Sequence, residues 1–327
     1  MQTHVRNWAL GLAVSSFLGC GHSADDLVGE AKMRLVARDF EGALAKYDEA
    51  LKADAKNYNA LWGKAQALGN HGNFPEQQKI YEGILDDAGL KEKYGKTVAE
   101  ALDLSYRTAA ANFPKEAEVF LKKAIARNPK TTAKSQLARV FMEQGERGVK
   151  AGDFVGAKAQ YDLVAGLDVA KKLKREAADQ ADVVGFLAFR GEFQPDLDKQ
   201  KPELIKGGQL DAGGSRFVVE ATADVVGGPK DEGFEANSQK AADAAARKVL
   251  SELTYKIAGA PGPKDALLAF EETDFTVDSK GLSKGNRSYA IKLSVPVDAV
   301  VFQIYRLRFP VAAKPSAEAE AKAEPPK

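Results

Sequence analysis

A sequence pattern that returns at a fixed interval constrains this chain of 327 residues more than any other feature. After Asp39-Phe40, the residues at 43, 47, 50 and 51 are apolar and follow the i, i+4, i+7, i+8 spacing of one helix face. Phe40 returns as Phe74, and Tyr47 returns at the same distance as Tyr81. A single helical hairpin cannot bury such a face alone, so the pattern predicts several hairpins packed side by side.

Two further copies of the pattern follow, with a longer spacing. The residues that mark them are Ala117, Leu121, Ala124, Phe154, Ala157 and Tyr161. The step from Gln77 to Ala117 equals the step from Ala117 to Ala157, and both exceed the step from Phe40 to Phe74. Gln77 occupies the place that Ala43 has in the first copy, which predicts looser packing of the second hairpin.

The aromatic residue near position 24 of each unit and the small residues near positions 8 and 20 resemble the tetratricopeptide repeat (TPR), a family of paired antiparallel helices. The resemblance covers about half the chain, and we assign residues 20–190 to it. It implies an N-terminal all-α TPR solenoid of about four hairpins, with the amphipathic segment 172–190 as a capping helix. A helical bundle without repeats is the alternative.

The TPR resemblance also implies a binding groove, lined by the first helix of each pair. The residues that the repeat frame places there are Lys32, Leu35, Asn59, Trp62, Gln66, Asn70, Arg139 and Met142. Trp62 is the most informative, because an exposed tryptophan is a frequent interface anchor. Core packing between adjacent hairpins is the alternative for Trp62. The basic and amide residues by which some TPR proteins capture a C-terminal carboxylate are not evident here.

The C-terminal part of the chain changes period. Prolines and paired glycines in residues 191–214 predict a linker. Residues 215–309 then alternate with period 2 around one Ala-rich helix, which predicts a small βαββ module of the α+β class. The period does not decide whether residues 298–308 are strand or helix. The module is weakly similar to modules of bacterial envelope lipoproteins and flagellar-ring assembly proteins, and no residue role is carried over.

The first residues read as a targeting segment. An apolar run of about eleven residues follows Arg6, which fits a signal peptide over residues 1–19. Phe17-Leu18-Gly19-Cys20 resembles the lipobox of bacterial lipoproteins, which implies acylation of Cys20 and an outer-membrane anchor facing the periplasm. Ordinary secretion with a chance cysteine is the alternative. Residues 310–327 are rich in Ala, Pro, Glu and Lys, which predicts a disordered tail.

Composition argues against several kinds of chemistry. The chain has one cysteine and three histidines, too few for an intramolecular disulfide or a Cys/His zinc cluster, so we expect no metal and no cofactor. The formal net charge of +1 gives no sign of nucleic-acid binding. The carboxylate pairs Asp86-Asp87 and Glu271-Glu272 leave an Asp/Glu hydrolase open, but adjacent side chains diverge, so we expect no enzyme.

These observations lead to one functional hypothesis with an alternative of another class. The leading hypothesis is a membrane-anchored periplasmic scaffold whose repeats bind another protein or peptide of the cell envelope. Assembly of an envelope, pilus or secretion machine is the setting that the fold suggests. The alternative is a tether that binds peptidoglycan or another glycan through the βαββ module.

Overall fold

The computed structural model describes residues 22–260, 267–283 and 287–310. Within them, eleven α-helices and three β-strands follow one another. They are α1 (Ala24–Val36), α2 (Phe40–Ala53), α3 (Tyr58–Asn70), α4 (Phe74–Asp86), α5 (Ala88–Asn112), α6 (Ala117–Arg127), α7 (Ala133–Ala151), α8 (Phe154–Ala165), α9 (Lys171–Lys206), β1 (Arg216–Asp224), α10 (Phe234–Ala258), β2 (Thr276–Leu282), β3 (Ser288–Pro296) and α11 (Val297–Arg308). No described helix is both long and apolar enough to cross a membrane.

The described residues form two compact units. The first contains the residues up to Glu143 together with Leu163–Lys174, and the second contains Gln144–Asp162 and the residues from Arg175 onward. The predicted fold class is confirmed, because helical hairpins in a TPR-like arrangement precede a small sheet with one long helix.

Side-chain caps explain where the first helices begin. The oxygen of one polar side chain accepts a hydrogen bond from a backbone N–H of the first turn in each of five consecutive helices. These N-cap residues are Ser23, Asp39, Asn57, Asn73 and Asp87. The first backbone N–H groups of a helix have no partner within the helix, so such caps define its start. The short polar turns of the sequence are therefore the boundaries of the hairpins.

The change of repeat length has its origin in the first helix of each pair. In the first two hairpins this helix has 13 residues, whereas α5 has 25 and α7 has 19. The second helices stay between 11 and 14 residues long. The longer spacing of the later repeats thus reflects longer first helices and not longer loops.

The core of the first unit is built from small residues and tyrosines. Ala31, Ala43 and Ala50 are fully buried, and so is Tyr47. The expected looseness at Gln77 is not found. Gln77 lies over Gly69, where a Cβ would be 2.3 Å from Gln77 Nε2, and Ser105 Oγ donates to Gln77 Oε1 at 2.6 Å.

The linker prediction for residues 191–214 is wrong over residues 191–206, which continue α9. Phe193, Leu197 and Leu204 lie on one face of this helix and are buried in the core of the second unit. The misleading signal came from Pro195 and Pro202. Neither proline is buried, so water can hydrate the carbonyls that lose their helical partner. Phe189 joins the same core, and Gly185 of the same helix packs on α8, where an added Cβ would be 3.2 Å from Lys158 Cε.

The second unit is organised around an antiparallel sheet of order β1-β3-β2. Phe217 pairs with Val295 and Val219 with Leu293, and all four side chains point to the buried face. The apolar side of α10 covers that face through Ala242, Ala246, Leu250, Leu253 and Ile257. The βαββ order is as predicted, and residues 297–308 are helix α11. Cys20, the signal segment and residues 311–327 lie outside the described residues.

Candidate partner-binding surface

Four aromatic side chains of the first unit form a continuous cluster, hereafter the aromatic cluster. It contains Tyr58 and Trp62 of α3, Tyr81 of α4 and Tyr94 of α5. The rings of Tyr58 and Tyr94 are stacked, with centroids 3.6 Å apart and planes 4° apart. Trp62 lies 5.8 Å from Tyr58 and 5.5 Å from Tyr81. The cluster therefore joins the second hairpin to the first helix of the third.

The early start of α5 is what brings Tyr94 into the cluster. Only Asp87 separates α4 from α5, and its side chain accepts hydrogen bonds from the N–H groups of Gly89 and Leu90, both at 3.0 Å. The sequence pattern marked the third unit only by Ala117, Leu121 and Ala124, which lie in its second helix. Tyr94 was therefore missed, although an Asp just before a run of helix-forming residues is a start signal.

A depression of about 470 Å³ adjoins the Tyr58–Tyr94 stack. It is lined by the turn before α3 and the first residues of α5. An ion pair between Lys56 Nζ and Asp87 Oδ2, at 2.7 Å, ties these two segments together. The hydrogen bond from Lys56 and the N–H groups of α5 hold the pKa of Asp87 below its usual value. The same bond raises the pKa of Lys56, so both groups stay charged over a wide pH range.

Tyr58 and Tyr81 of the cluster are neutral at neutral pH. Burial raises the pKa of Tyr58, and the neighbouring Tyr94 adds to the effect. Burial likewise raises the pKa of Tyr81. Tyr58, Trp62 and Tyr94 are each half-buried, so they present both an apolar ring and a polar tip.

The predicted residues of α3 lie beside the aromatic cluster. Asn59, Gln66 and Asn70 are exposed, and with Trp62 they follow the i+3 and i+4 spacing of one helix face. We call Asn59, Gln66 and Asn70 the amide row. The sequence left two alternatives for Trp62, a binding residue or a core residue. It has features of both, because it packs on Tyr81 and is still half-exposed.

The predicted residues on the other first helices are less uniform. Lys32 and Arg139 are exposed. Leu35 is half-buried and packs against the core of the first hairpin. Met142 is only 9% exposed, so its assignment to the binding surface is wrong. A flexible apolar side chain at that helix position packs into the core.

The carboxylate pairs have structural partners. Asp87 caps α5 and binds Lys56, as described above, and Glu272 Oε2 accepts a hydrogen bond from Arg247 Nη2 at 3.0 Å. Within the described residues, no group of three or more His, Cys, Asp or Glu could hold a metal ion. The single histidine inside the repeats, His71, lies in an exposed turn against Phe40.

No protein-family model matches this chain, and no curated protein sequence does. Solved structures similar to it include a TPR repeats protein from Bacteroides fragilis, which is 17% identical, with coverage of 72% of this chain and 89% of that one and a TM-score of 0.39. A TPR protein from Thermus thermophilus is 15% identical, with coverage of 51% and 91% and a TM-score of 0.24. PilF from Pseudomonas aeruginosa is 21% identical, with coverage of 55% and 81% and a TM-score of 0.25.

The similarity is low in each case, so we take no partner or activity from it. The resemblance of the C-terminal module to envelope modules stays a prediction.

Proposed function

We propose that the helical repeats bind a protein partner, and that the aromatic cluster with the amide row is the binding surface. The observation that carries the proposal is the Tyr58–Tyr94 stack. It places two half-exposed tyrosines and Trp62 next to three exposed amide side chains. Tyrosine and tryptophan are enriched among the residues that dominate protein–protein binding energy.

The chemistry of this surface suits a polypeptide. Aromatic side chains provide a large contact area at a small cost in conformational entropy. The amides of Asn59, Gln66 and Asn70 each offer a donor and an acceptor, which match the N–H and C=O groups of a peptide backbone. The amide row carries no charge. We therefore expect binding that depends only weakly on salt concentration.

The cellular setting belongs to the same proposal and is supported by the sequence alone. The lipobox-like segment supports acylation of Cys20, and two or more acyl chains would anchor a protein stably to a membrane. We propose an outer-membrane protein that faces the periplasm and serves as a scaffold in the assembly of an envelope, pilus or secretion machine. Replacement of Cys20 by Ser should abolish labelling by a palmitate analogue, and persistent labelling of the variant would refute the anchor.

A site-specific cross-link tests the binding surface. A photoreactive amino acid replaces Gln66 in one variant and Lys79 in another, and both are expressed in the native host. Lys79 is a matched control, since it is exposed on the neighbouring helix α4 but outside the amide row. We expect a protein cross-linked from position 66 and absent from position 79. A glycan strand as the cross-linked species would favour the tether instead.

Binding of the purified partner then tests the aromatic cluster. Tyr94→Ala and Trp62→Ala should each weaken binding about tenfold or more, since each removes an aromatic anchor. Lys79→Ala should leave the affinity unchanged. Circular dichroism separates binding from folding: a loss of helicity in Trp62→Ala would assign this residue to the core. Unchanged binding by folded Tyr94→Ala would contradict the proposal.

A further inference from the structure

β1 is an edge strand of the sheet in the second unit. It pairs with β3 on one side only. On its other side, a short segment of the same chain pairs with its beginning. Asp211 N–H donates to the carbonyl of Arg216 at 2.9 Å, and Val218 N–H donates to the carbonyl of Gln209 at 3.0 Å. The chain itself thus adds a short antiparallel strand to this edge.

The rest of the edge has no pairing partner among the described residues, and we call it the open edge. Because Arg216 and Val218 direct their backbone groups away from β3, the even-numbered residues that follow must do the same. These residues are Glu220, Thr222 and Asp224. Within the described part of the chain, no hydrogen bond reaches the backbone N–H or C=O groups of these three residues from the open side. Their outward row of alternating donors and acceptors is complementary to an extended backbone.

A cavity of about 560 Å³ adjoins the open edge where the self-paired segment ends. Val219, Val249 and Leu253 contribute apolar surface on the side of α10, and Glu220 and Lys292 line it from the opposite face of the sheet. Val249 is 40% exposed, although the neighbouring residues of α10 are packed on the sheet. The cavity therefore offers space to side chains on both faces of an added strand.

The charges along the open edge favour a basic occupant. Glu220 and Asp224 lie four positions apart on the outer face, and both are exposed. Lys292 Nζ binds Glu220 Oε1 at 2.7 Å, whereas the carboxylate of Asp224 has no ion-pair partner among the described residues. A Lys or Arg directly opposite a carboxylate across an antiparallel pair is stabilising.

We propose that β1 accepts an extended segment of a partner protein as a fourth, antiparallel strand. The segment would carry apolar side chains on the α10 face, beside Val249, and Lys or Arg opposite Glu220 and Asp224. This strand-addition site is independent of the aromatic cluster and of the proposed function of the repeats. Peptide addition to a sheet edge derives its affinity from main-chain hydrogen bonds and its specificity from alternate side chains.

The probe is the peptide acetyl-Lys-Val-Thr-Val-Lys-amide, tested against the full chain by NMR-detected amide exchange. At saturating peptide, we expect exchange at the amides of Glu220, Thr222 and Asp224 to slow by about tenfold or more. The amides of Ala221 and Ala223 are internal controls, because they already face β3. The acidic analogue acetyl-Glu-Val-Thr-Val-Glu-amide should bind more weakly.

Two changes separate main-chain pairing from other modes of binding. Methylation of the backbone nitrogen of the central Thr removes a donor that faces β1 and should abolish binding, whereas methylation of a Val nitrogen should not. Thr222→Pro removes the N–H on the open edge, a position where an edge strand tolerates proline. It should abolish binding while β1 stays paired with β3.

Three outcomes would overturn the proposal. One is equal binding of both methylated peptides, which needs no protein variant and so remains decisive if Thr222→Pro fails to fold. Another is full binding by folded Thr222→Pro. The third is protection of the three edge amides in the absence of peptide, if this protection rises with protein concentration. Such a result would show that the edge pairs with a second copy of the chain.

Discussion

The ring of Tyr47 lies directly against the backbone of Gly63, so that a Cβ atom at position 63 would be 2.3 Å from Tyr47 Cζ. Tyr47 belongs to α2 and Gly63 to α3, which makes this contact a point of close approach between the first two hairpins. The fully buried ring fits there only because residue 63 has no side chain.

We therefore expect Gly63→Ala to destabilise the chain by about 1–3 kcal/mol, the usual cost of overpacking a core. Gly83→Ala is the matched control, because it lies in α4 with no heavy atom within 4 Å of an added Cβ. Alanine should stabilise that helix by up to about 1 kcal/mol. Denaturant unfolding measures both, and equal stability of the two variants would refute the close contact.

A forked ion pair joins α9 to α11 in the second unit. Arg306 donates from Nη1 to Asp182 Oδ1 at 2.7 Å and from Nη2 to Asp182 Oδ2, and its guanidinium lies 4.7 Å from the ring centroid of Phe302. Arg306→Lys keeps the charge and loses the fork, so we expect a loss of about 1 kcal/mol in unfolding free energy. Lys199→Ala, which breaks an exposed pair with Asp196, should change it by less than about 0.5 kcal/mol. An Arg306→Lys variant with the same unfolding free energy as the wild type would show that the forked ion pair is not formed.

A substitution of proline in α9 tests whether this segment is a helix or the linker predicted from the sequence. Pro195→Ala should increase stability by about 1–3 kcal/mol, because proline inside a helix removes a hydrogen bond and crowds the preceding turn. Pro75→Ala is the control, since Pro75 occupies the first turn of α4, where no helical hydrogen bond is lost. Thermal unfolding compares the two. If Pro195→Ala were no more stable than the wild type, the result would support the linker predicted from the sequence.

Acid should weaken the junction between α4 and α5. The pKa of Asp87 is lowered in the folded chain, so its contribution is complete above the ordinary value of 3.8 and is lost as pH falls through the folded value. Asp87→Asn keeps a capping oxygen but loses the charge opposite Lys56. We expect this variant to be less stable than the wild type at neutral pH, with the difference shrinking below about pH 3.8. Asp86→Asn, at the exposed neighbouring position, is the control. A stability difference between Asp87→Asn and the wild type that does not change with pH would contradict the ion pair.

The repeat in the sequence was sufficient to predict the hairpins, because Ala31, Ala43 and Tyr47 must share one buried face whatever the loops do. It also placed Trp62 next to exposed amides, since helical spacing fixes which residues share a face. What it predicted poorly were contacts between side chains distant in sequence. The prediction compared Gln77 with the small residue usual at its repeat position. In the structure, Gly69 leaves space for the Gln77 side chain, and Ser105 donates a hydrogen bond to it.

Two further errors have one physical origin. A proline or a polar stretch need not end a helix, because water can hydrate exposed backbone groups, and packing or a cap can stabilise the helix around them. Pro195 faces water, and α9 continues. Tyr94 lies in a mostly polar stretch without a visible apolar stripe, and yet α5 starts early because Asp87 caps it. Exposure is set by the folded neighbours, and periodicity alone contains neither exposure nor the effect of a cap such as Asp87.

The prolines of α9 also determine where this helix opens first. Without the N–H groups of Pro195 and Pro202, the carbonyls of Gly191 and Asp198 lack a helical partner, so local unfolding there costs less free energy than elsewhere in the helix. Arg190 and Lys199 each lie next to one of these carbonyls and are exposed. Trypsin-like proteases cut after such residues once the backbone opens. Limited proteolysis would therefore enter α9 at these two bonds and release the chain in fragments that begin at Gly191 and Gln200.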